Sequence, residues 1–371
     1  MNFEFNDKEQ AFLTQIESIM TDFEPMAGKS VTEPLAAILE KLAATDFLKL
    51  GLDKVEGMGV PVILAAAQER FAAAYPSLYL TVEMSARVFG RILFYHGDAA
   101  QKAKYLAPLL AGKLVGALAL SEGSMNVDNE PLSTTATADG GGYVVSGAKS
   151  YVVNAGVADV IAVACRVDDK VGFALVDKNA AGLTIGNPYA TLGFEGALIA
   201  GLTLENVKVE KGAFLGPYDA KTALSAVRMF ENQVLTGAAV GAMKAAFEAA
   251  KKHAKEHKSG GKPVIAFQEV AFKLAEMLTS LQTGELFAMR SAWVAETTPK
   301  EAEDIILCAK VFCSESAEKV ASDALQILGG AGFTTPNAAE RAYRNAKYTA
   351  IAGTSTEICR VKIGDSELGY R

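Results

Sequence analysis

Residues 140–163 read GGGYVVSGAKSYVVNAGVADVIAV. Three runs in this stretch, Tyr143-Val144-Val145, Tyr151-Val152-Val153 and Val160-Ile161-Ala162-Val163, are made almost wholly of β-branched and aromatic residues. Such side chains fit a pleated, half-buried surface, so the runs predict strands. Gly140-Gly141-Gly142 and, further on, Asp168-Asp169 and Asn179 are turn signals between strands. Turns at this spacing predict an antiparallel barrel or sandwich rather than βαβ units. The β-rich character holds from 116 to 216.

Outward from this stretch the pattern changes on both sides. Towards the N-terminus, Phe12, Ile16, Ile19 and Met20 recur at helical spacing. Later Ala-rich pieces do the same, cut short by Gly and Pro clusters. Towards the C-terminus three long helices are predicted: Ala223 to about Lys258, Ala266 to Glu296, and Pro299 to Leu328. Pro299 suits a helix start and Gly329-Gly330 a stop. With a last helix after Ser355, the region predicts a four-helix bundle. The fold class is therefore α+β: an N-terminal helical domain over 1–115, a middle antiparallel β-barrel domain over 116–216 and a C-terminal four-helix bundle over 217–371. Neither an internal repeat nor a low-complexity tract interrupts this order.

Composition limits the function. The 371 residues are 50% hydrophobic and 21% charged, enough for a sizeable core. Net charge is −7, from 36 basic and 43 acidic residues, which argues against a nucleic-acid partner. No apolar run approaches the ~18 residues of a membrane span. The first ten residues, MNFEFNDKEQ, are acidic and lack the apolar core of a secretory signal, so a cytoplasmic location is expected. Cys165, Cys308, Cys313 and Cys359 show no CxxC spacing and read as reduced thiols. His96, His253 and His257 form no metal-ligand pattern, so no metal is expected. No Walker loop is present, and GGAG at 329–332 follows a helix rather than a strand, so it is no dinucleotide fingerprint.

Two features carry chemistry. Leu224, Val227, Val234, Leu235 and Ala238 make an apolar stripe, and Glu231 falls on it. A core-facing carboxylate is desolvated and suited to proton transfer; equally, Glu231 could be a structural partner of Arg228 one turn earlier. Gly353-Thr354-Ser355 reads as a loop feeding a helix N-terminus. Such a loop offers backbone N–H groups to a developing oxyanion, or is an ordinary N-cap.

At this point the chain resembles the acyl-CoA dehydrogenases, over nearly its whole length. Lys104-Tyr105-Leu106-Ala107-Pro108-Leu109-Leu110-Ala111-Gly112-Lys113, running into Ala119-Leu120-Ser121-Glu122, is similar to the family's segment entering the flavin site. Gly147-Ala148-Lys149-Ser150-Tyr151-Val152-Val153-Asn154 resembles its mid-domain strand, and Leu204-Glu205-Asn206-Val207-Lys208-Val209 its exit from the β domain. The most specific match is Gln326-Ile327-Leu328-Gly329-Gly330-Ala331-Gly332-Phe333 followed by Arg341-Ala342-Tyr343-Arg344-Asn345-Ala346-Lys347. The resemblance implies oxidation of an acyl-CoA thioester to the 2-enoyl-CoA: a carboxylate removes the α-proton while the β-hydrogen leaves as hydride to FAD.

Most of the family carries its catalytic Glu just before the late Gly-Thr loop, where this chain has Gly353. The isovaleryl-CoA and long-chain types instead place the base on a bundle helix. Counting back from Ala238-Ala239-Val240-Gly241, that position is Glu231. The resemblance therefore implies Glu231 as base, with the Gly353 N–H on the thioester oxygen. It implies FAD contacts from Leu120, Ser121, Tyr151, Val153, His257, Gln268, Gln326, Gly329, Gly330, Ser355 and Glu357, and substrate contacts from Val127, Arg228 and Asn232. Several of these depart from the pattern. Asn232 replaces an Arg, Val153 a Thr or Ser that bonds near flavin N5, and Val127 a substrate-holding Ser. His257 and Gly260 replace the Arg and Phe that reach a neighbouring subunit's FAD. The implied partners are acyl-CoA, an electron-transferring flavoprotein, and further subunits in a homotetramer or a heteromer with a related chain. A subunit with little activity alone, or non-redox acyl-CoA chemistry on the same fold, are the alternatives.

Overall fold

The valine-rich runs form strands and the periodic stretches form helices in the computed structural model, which describes residues 4–23, 30–123 and 130–370. The N-terminal helices are α1 (Asp7–Phe23), α2 (Leu35–Ala44), α3 (Val60–Ala74), α4 (Pro76–Glu83), α5 (Gly90–His96), α6 (Ala99–Gln101) and α7 (Ala107–Leu110). Phe12, Ile16, Ile19 and Met20 of α1 are buried, as their spacing predicts. A π-helical turn, Met84–Phe89, joins α4 to α5. Every residue from Ser77 to Gly90 along this rod is buried, so it forms the centre of the region.

The strands are β1 (Gly116–Ala119), β2 (Thr135–Asp139), β3 (Gly142–Val152), β4 (Val160–Val167), β5 (Lys170–Asp177), β6 (Leu183–Ile185), β7 (Ala200–Glu210) and β8 (Phe214–Tyr218). β2 and β3 form a hairpin around Gly140-Gly141, with Asp139 opposite Gly142. The pairing path runs β6-β7-β3-β2-β4-β5-β8 and is open at its ends. It departs from a purely antiparallel arrangement where β1 lies parallel to β4 and where Thr135 of β2 pairs with Arg166. The parallel β1–β4 pair is possible because some forty residues separate the two strands, ample for a crossover. Val145, Val152, Ile161, Val163, Val176 and Val207 fill the interior.

The C-terminal helices are α8 (Ala220–Glu256), α9 (Gln268–Thr297), α10 (Ala302–Leu328), α11 (Ala338–Ile351) and α12 (Thr356–Glu367). A small hairpin, β9 (Lys258–Ser259) with β10 (Lys262–Pro263), joins α8 to α9. Asp219 caps α8 by accepting from the Thr222 N–H at 2.9 Å. Two expectations are corrected. The third helix does not begin at Pro299: Pro299–Glu301 is a 3₁₀ turn that precedes α10. The bundle also contains α11, which its polar, low-hydropathy sequence concealed. Asn337 caps α11 at 2.9 Å, and Ala339, Ala342 and Ala346 pack it against α8 and α10. The helix after Ser355 is thus a fifth, laid on α10. Among the described residues no helix is long and apolar enough to cross a membrane.

Candidate active site

The site is built on one face of α8. At 100° per residue, Val227, Arg228, Glu231, Leu235 and Ala238 fall on a common face. All five are buried, Glu231 with 9% of its surface exposed. A carboxylate in such a place needs a partner. Arg228 supplies it, with Nη1 donating to Glu231 Oε2 at 2.8 Å. Arg228 is itself buried, and its Nε has no hydrogen-bond partner.

The late loop, between α11 and α12, lies against the same face. Gly353 is left-handed, with φ of +66°. A Cβ there would come within 2.6 Å of Asn232 Oδ1 and 2.9 Å of Leu235 Cδ1. The residue after it, Thr354, is tied from three sides. Its N–H donates to Asn232 Oδ1 at 3.0 Å. Its Oγ1 accepts from Asn232 Nδ2 at 3.1 Å. Its carbonyl accepts from Lys310 Nζ at 3.2 Å and from the Cys359 thiol at 3.4 Å. Ser355 then caps α12, its Oγ accepting from the Ile358 N–H at 3.4 Å, while Glu357 is exposed in the first turn. Asn232, read from the resemblance as a substrate contact, holds the loop in this structure.

Lys310 and Tyr348 were not singled out from the sequence. Lys310 sits on α10 among Ile306, Cys313 and Ala317, all buried. Burial pushes its ammonium down to about 8, against the pull of Cys359, Glu231 and Glu357. Tyr348 on α11 packs its ring at 5.2 Å from Phe194. Burial, and then the nearby Glu231, push its phenol well up. A lysine on an apolar helical stripe is the same signal that marked Glu231.

Strands β1 and β3 present a second group. Ser121 O accepts from the Ser150 N–H at 2.9 Å, linking the ends of the two strands. Lys149 Nζ donates to Leu120 O at 3.1 Å and to Glu122 Oε1 at 2.7 Å. Burial would push the Glu122 carboxyl up, but hydrogen bonds from Lys149, Ser133 and Thr134 outweigh it and hold it down to about 2. Tyr151, left-handed and 56% exposed, sets its ring 5.1 Å from Tyr189. Val153 is buried in the same apolar cluster as Leu120, Val227 and Leu235. Val127 lies outside the described residues.

The remaining cofactor candidates lie elsewhere. His257 follows the end of α8, stacked on His253 at 4.7 Å. It stands 26 residues beyond Glu231, or roughly 39 Å at the helical rise. Gln268 opens α9, and Gln326 with Gly329 and Gly330 closes α10; all four, like His257, are exposed. One chain therefore does not bring these five residues to Glu231.

Two cavities flank the site without including Glu231. A groove of about 1090 Å³ runs between β4, β5 and the start of α8, past Ser133, Arg166, Lys170 and Lys221. Another, of about 580 Å³, lies on the opposite face of α8 against Phe230, Gln233 and Gly237. Of its cations Lys54, Arg87 and Arg91, the last bonds Gln233 Oε1 at 2.6 Å.

Family models for the N-terminal, middle and C-terminal domains of acyl-CoA dehydrogenase match residues 7–113, 117–207 and 221–368. The chain belongs to the acyl-CoA dehydrogenase family. An acyl-CoA dehydrogenase of Bacillus subtilis is 30% identical, over 96% of this chain and 99% of that one. Benzylmalonyl-CoA dehydrogenase of Aromatoleum aromaticum is 28% identical over 98% of each chain. The fold superposes on butyryl-CoA dehydrogenase from Megasphaera elsdenii with a TM-score of 0.92, at 23% identity, covering 99% of this chain and 100% of that one. At Gly353 any side chain would be strained by the left-handed backbone and would require the ends of Asn232 and Leu235 to shift.

Proposed function

We propose that this chain dehydrogenates an acyl-CoA thioester to the 2-enoyl-CoA with Glu231 as the α-proton base. The observation that carries the reading is the fit between two positions. Gly353 carries no carboxylate, and its left-handed backbone with the ends of Asn232 and Leu235 close by disfavours one there. The nearest acid on the α8 face it meets is Glu231, one residue before Asn232.

In this reading Glu231 takes the α-proton, and Arg228 orients the carboxylate through the 2.8 Å bond. The Gly353 N–H donates to the thioester oxygen and stabilises the charge that develops there. FAD, when bound, supplies the acceptor for the β-hydride. The residues present suit it: the exposed Tyr151 ring beside Tyr189 offers an aromatic surface, and Ser355 and Glu357 open α12 after the late loop. The backbone at Gly329 and Gly330 is open, with nothing within 4 Å of where a Cβ would stand. In this reading a second copy brings that turn, with His257, Gln268 and Gln326, to the first copy's Tyr151, which accords with their place far along the bundle. An oligomer follows, and an electron-transferring flavoprotein is the proposed electron acceptor. Val153 and His257, which lack a hydroxyl and a permanent charge, favour a related unlike chain as the second copy where FAD is retained poorly.

The test is the absorbance of the purified protein, reconstituted with FAD and titrated anaerobically with a panel of acyl-CoAs. Bleaching near ~450 nm, a property of oxidised flavin, is expected with at least one of them. A protein that binds FAD and stays yellow with every acyl-CoA contradicts the reading.

A further inference from the structure

Lys310 lies fully buried in the middle of α10, where an apolar residue would pack without the cost of desolvating a charge. Its Nζ donates to the carbonyl of Thr354 at 3.2 Å. The other two polar atoms of Thr354, N and Oγ1, are held by Asn232 of α8. Lys310 and Asn232 thus grip one residue from two helices, and the residue gripped is the one that follows the left-handed Gly353. These bonds at its N–H, hydroxyl and carbonyl anchor the chain immediately after Gly353 against the α8 face that bears Glu231. The cluster is otherwise closed: Ser314, one turn further along α10, donates to Thr349 O at 3.0 Å, tying the end of α11 as well.

We propose that Lys310 is a positioning residue for the reaction, acting through the Thr354 carbonyl to hold the Gly353 N–H where the thioester oxygen arrives. The proposal rests on the reading of Glu231 as base and Gly353 as donor. Lys310 itself touches no substrate. Its charge matters because an ammonium makes a stronger hydrogen bond to a carbonyl than a neutral amine does. The titratable groups that act on it are Cys359 and Glu357 from α12 and Glu231 from α8; Glu231 in turn pairs with Arg228 of α8 and acts on Tyr348 of α11, while Arg290 of α9 acts on Cys308. With burial holding the ammonium down to about 8, it loses its proton within the range of ordinary assays.

The experiment uses the FAD-reconstituted protein and an acyl-CoA that bleaches it. Lys310→Met keeps the length and removes the charge. Its saturating bleaching rate is expected to fall about 10- to 100-fold, the range of a lost positioning contact. Half-saturation by acyl-CoA should move less than about 3-fold, and thermal stability should hold or rise, because a desolvated charge is gone. An unchanged rate overturns the proposal; so does a loss of rate that tracks a loss of folded protein. The wild-type pH profile tests it without a variant. Between pH 7 and 9.5 the bleaching rate should drop about 5-fold around pH 8, the difference between a charged and a neutral donor. A flat profile overturns it. Glu231→Gln, measured alongside, separates the two levels. If Glu231→Gln bleaches normally, the base assignment fails and the role of Lys310 with it. If Glu231→Gln is inactive and Lys310→Met is normal, only the proposal for Lys310 fails.

Discussion

The two ends of α8 present opposite surfaces. Around Glu231 the side chains are buried and nearly every polar atom is spoken for: Arg228 on Glu231, Asn232 and Lys310 on Thr354, Lys149 on Glu122. Around His257, roughly 39 Å further along by the helical rise, the candidate residues are exposed, and the described partner of His257 is the ring of His253. Buried, cross-bonded residues are complete within one chain. Exposed ones at the end of a bundle become functional only when something is laid over them, and Phe267, Phe272 and Phe333 nearby are exposed apolar side chains that invite cover. The difference separates a buried, cross-bonded cluster around Glu231 from an exposed group at the far end of the bundle, which in the proposed reading a second copy covers.

The comparison breaks most sharply at Glu231. Glu231→Gln preserves shape and removes basicity, so flavin bleaching by acyl-CoA should fall by at least ~10²–10⁴-fold with binding nearly intact. A loss of stability with bleaching within a few-fold would mean that the ion pair with Arg228 is merely structural. Next comes Gly353→Ala. The left-handed backbone costs an alanine ~1–2 kcal/mol, and its Cβ meets Asn232 Oδ1 at 2.6 Å. The bleaching rate should drop about tenfold or more. The same contact means that exchanging the acid between positions, Glu231→Gly with Gly353→Glu, should not restore activity while Asn232 is present; recovered activity would show that the loop has room.

The exposed end gives smaller effects. Val153→Thr with His257→Arg should tighten FAD retention by ~1–3 kcal/mol together. If the two regions meet only between copies, His257→Arg should act in the oligomer and do nothing in a protein diluted to monomers. The smallest effect belongs to Glu122. Its carboxyl is held down to about 2 from an ordinary 4.5. The stability it contributes is therefore complete above pH 4.5 and lost as pH falls towards 2. Glu122→Gln should flatten that part of a urea-stability profile; an unchanged acid limb would show that other carboxylates carry it.

The strands and long helices were legible because their signals are local. Val160-Ile161-Ala162-Val163 is a strand from its own side chains, and the α8 stripe places Glu231 in the core by angle alone. α11 was missed because its mean hydropathy is low and it buries alanines rather than large apolar side chains. Lys310 was missed for a different reason. A buried lysine is recognised by its partner, and Thr354 is 44 residues away in sequence. Asn232 differs again: as a replacement for an arginine it read as a substrate contact, and only the folded loop reveals that it holds Thr354.

The most direct measurement of the base assignment is exchange of the substrate's α-proton. The FAD-loaded protein is incubated with a saturated acyl-CoA in D₂O, and deuterium at Cα is followed by mass spectrometry. The wild type should incorporate deuterium, and Glu231→Gln should reduce the rate by at least ~10²-fold while still binding the acyl-CoA. Deuterium incorporation by Glu231→Gln at the wild-type rate would contradict the account, because some other group would then be taking the proton.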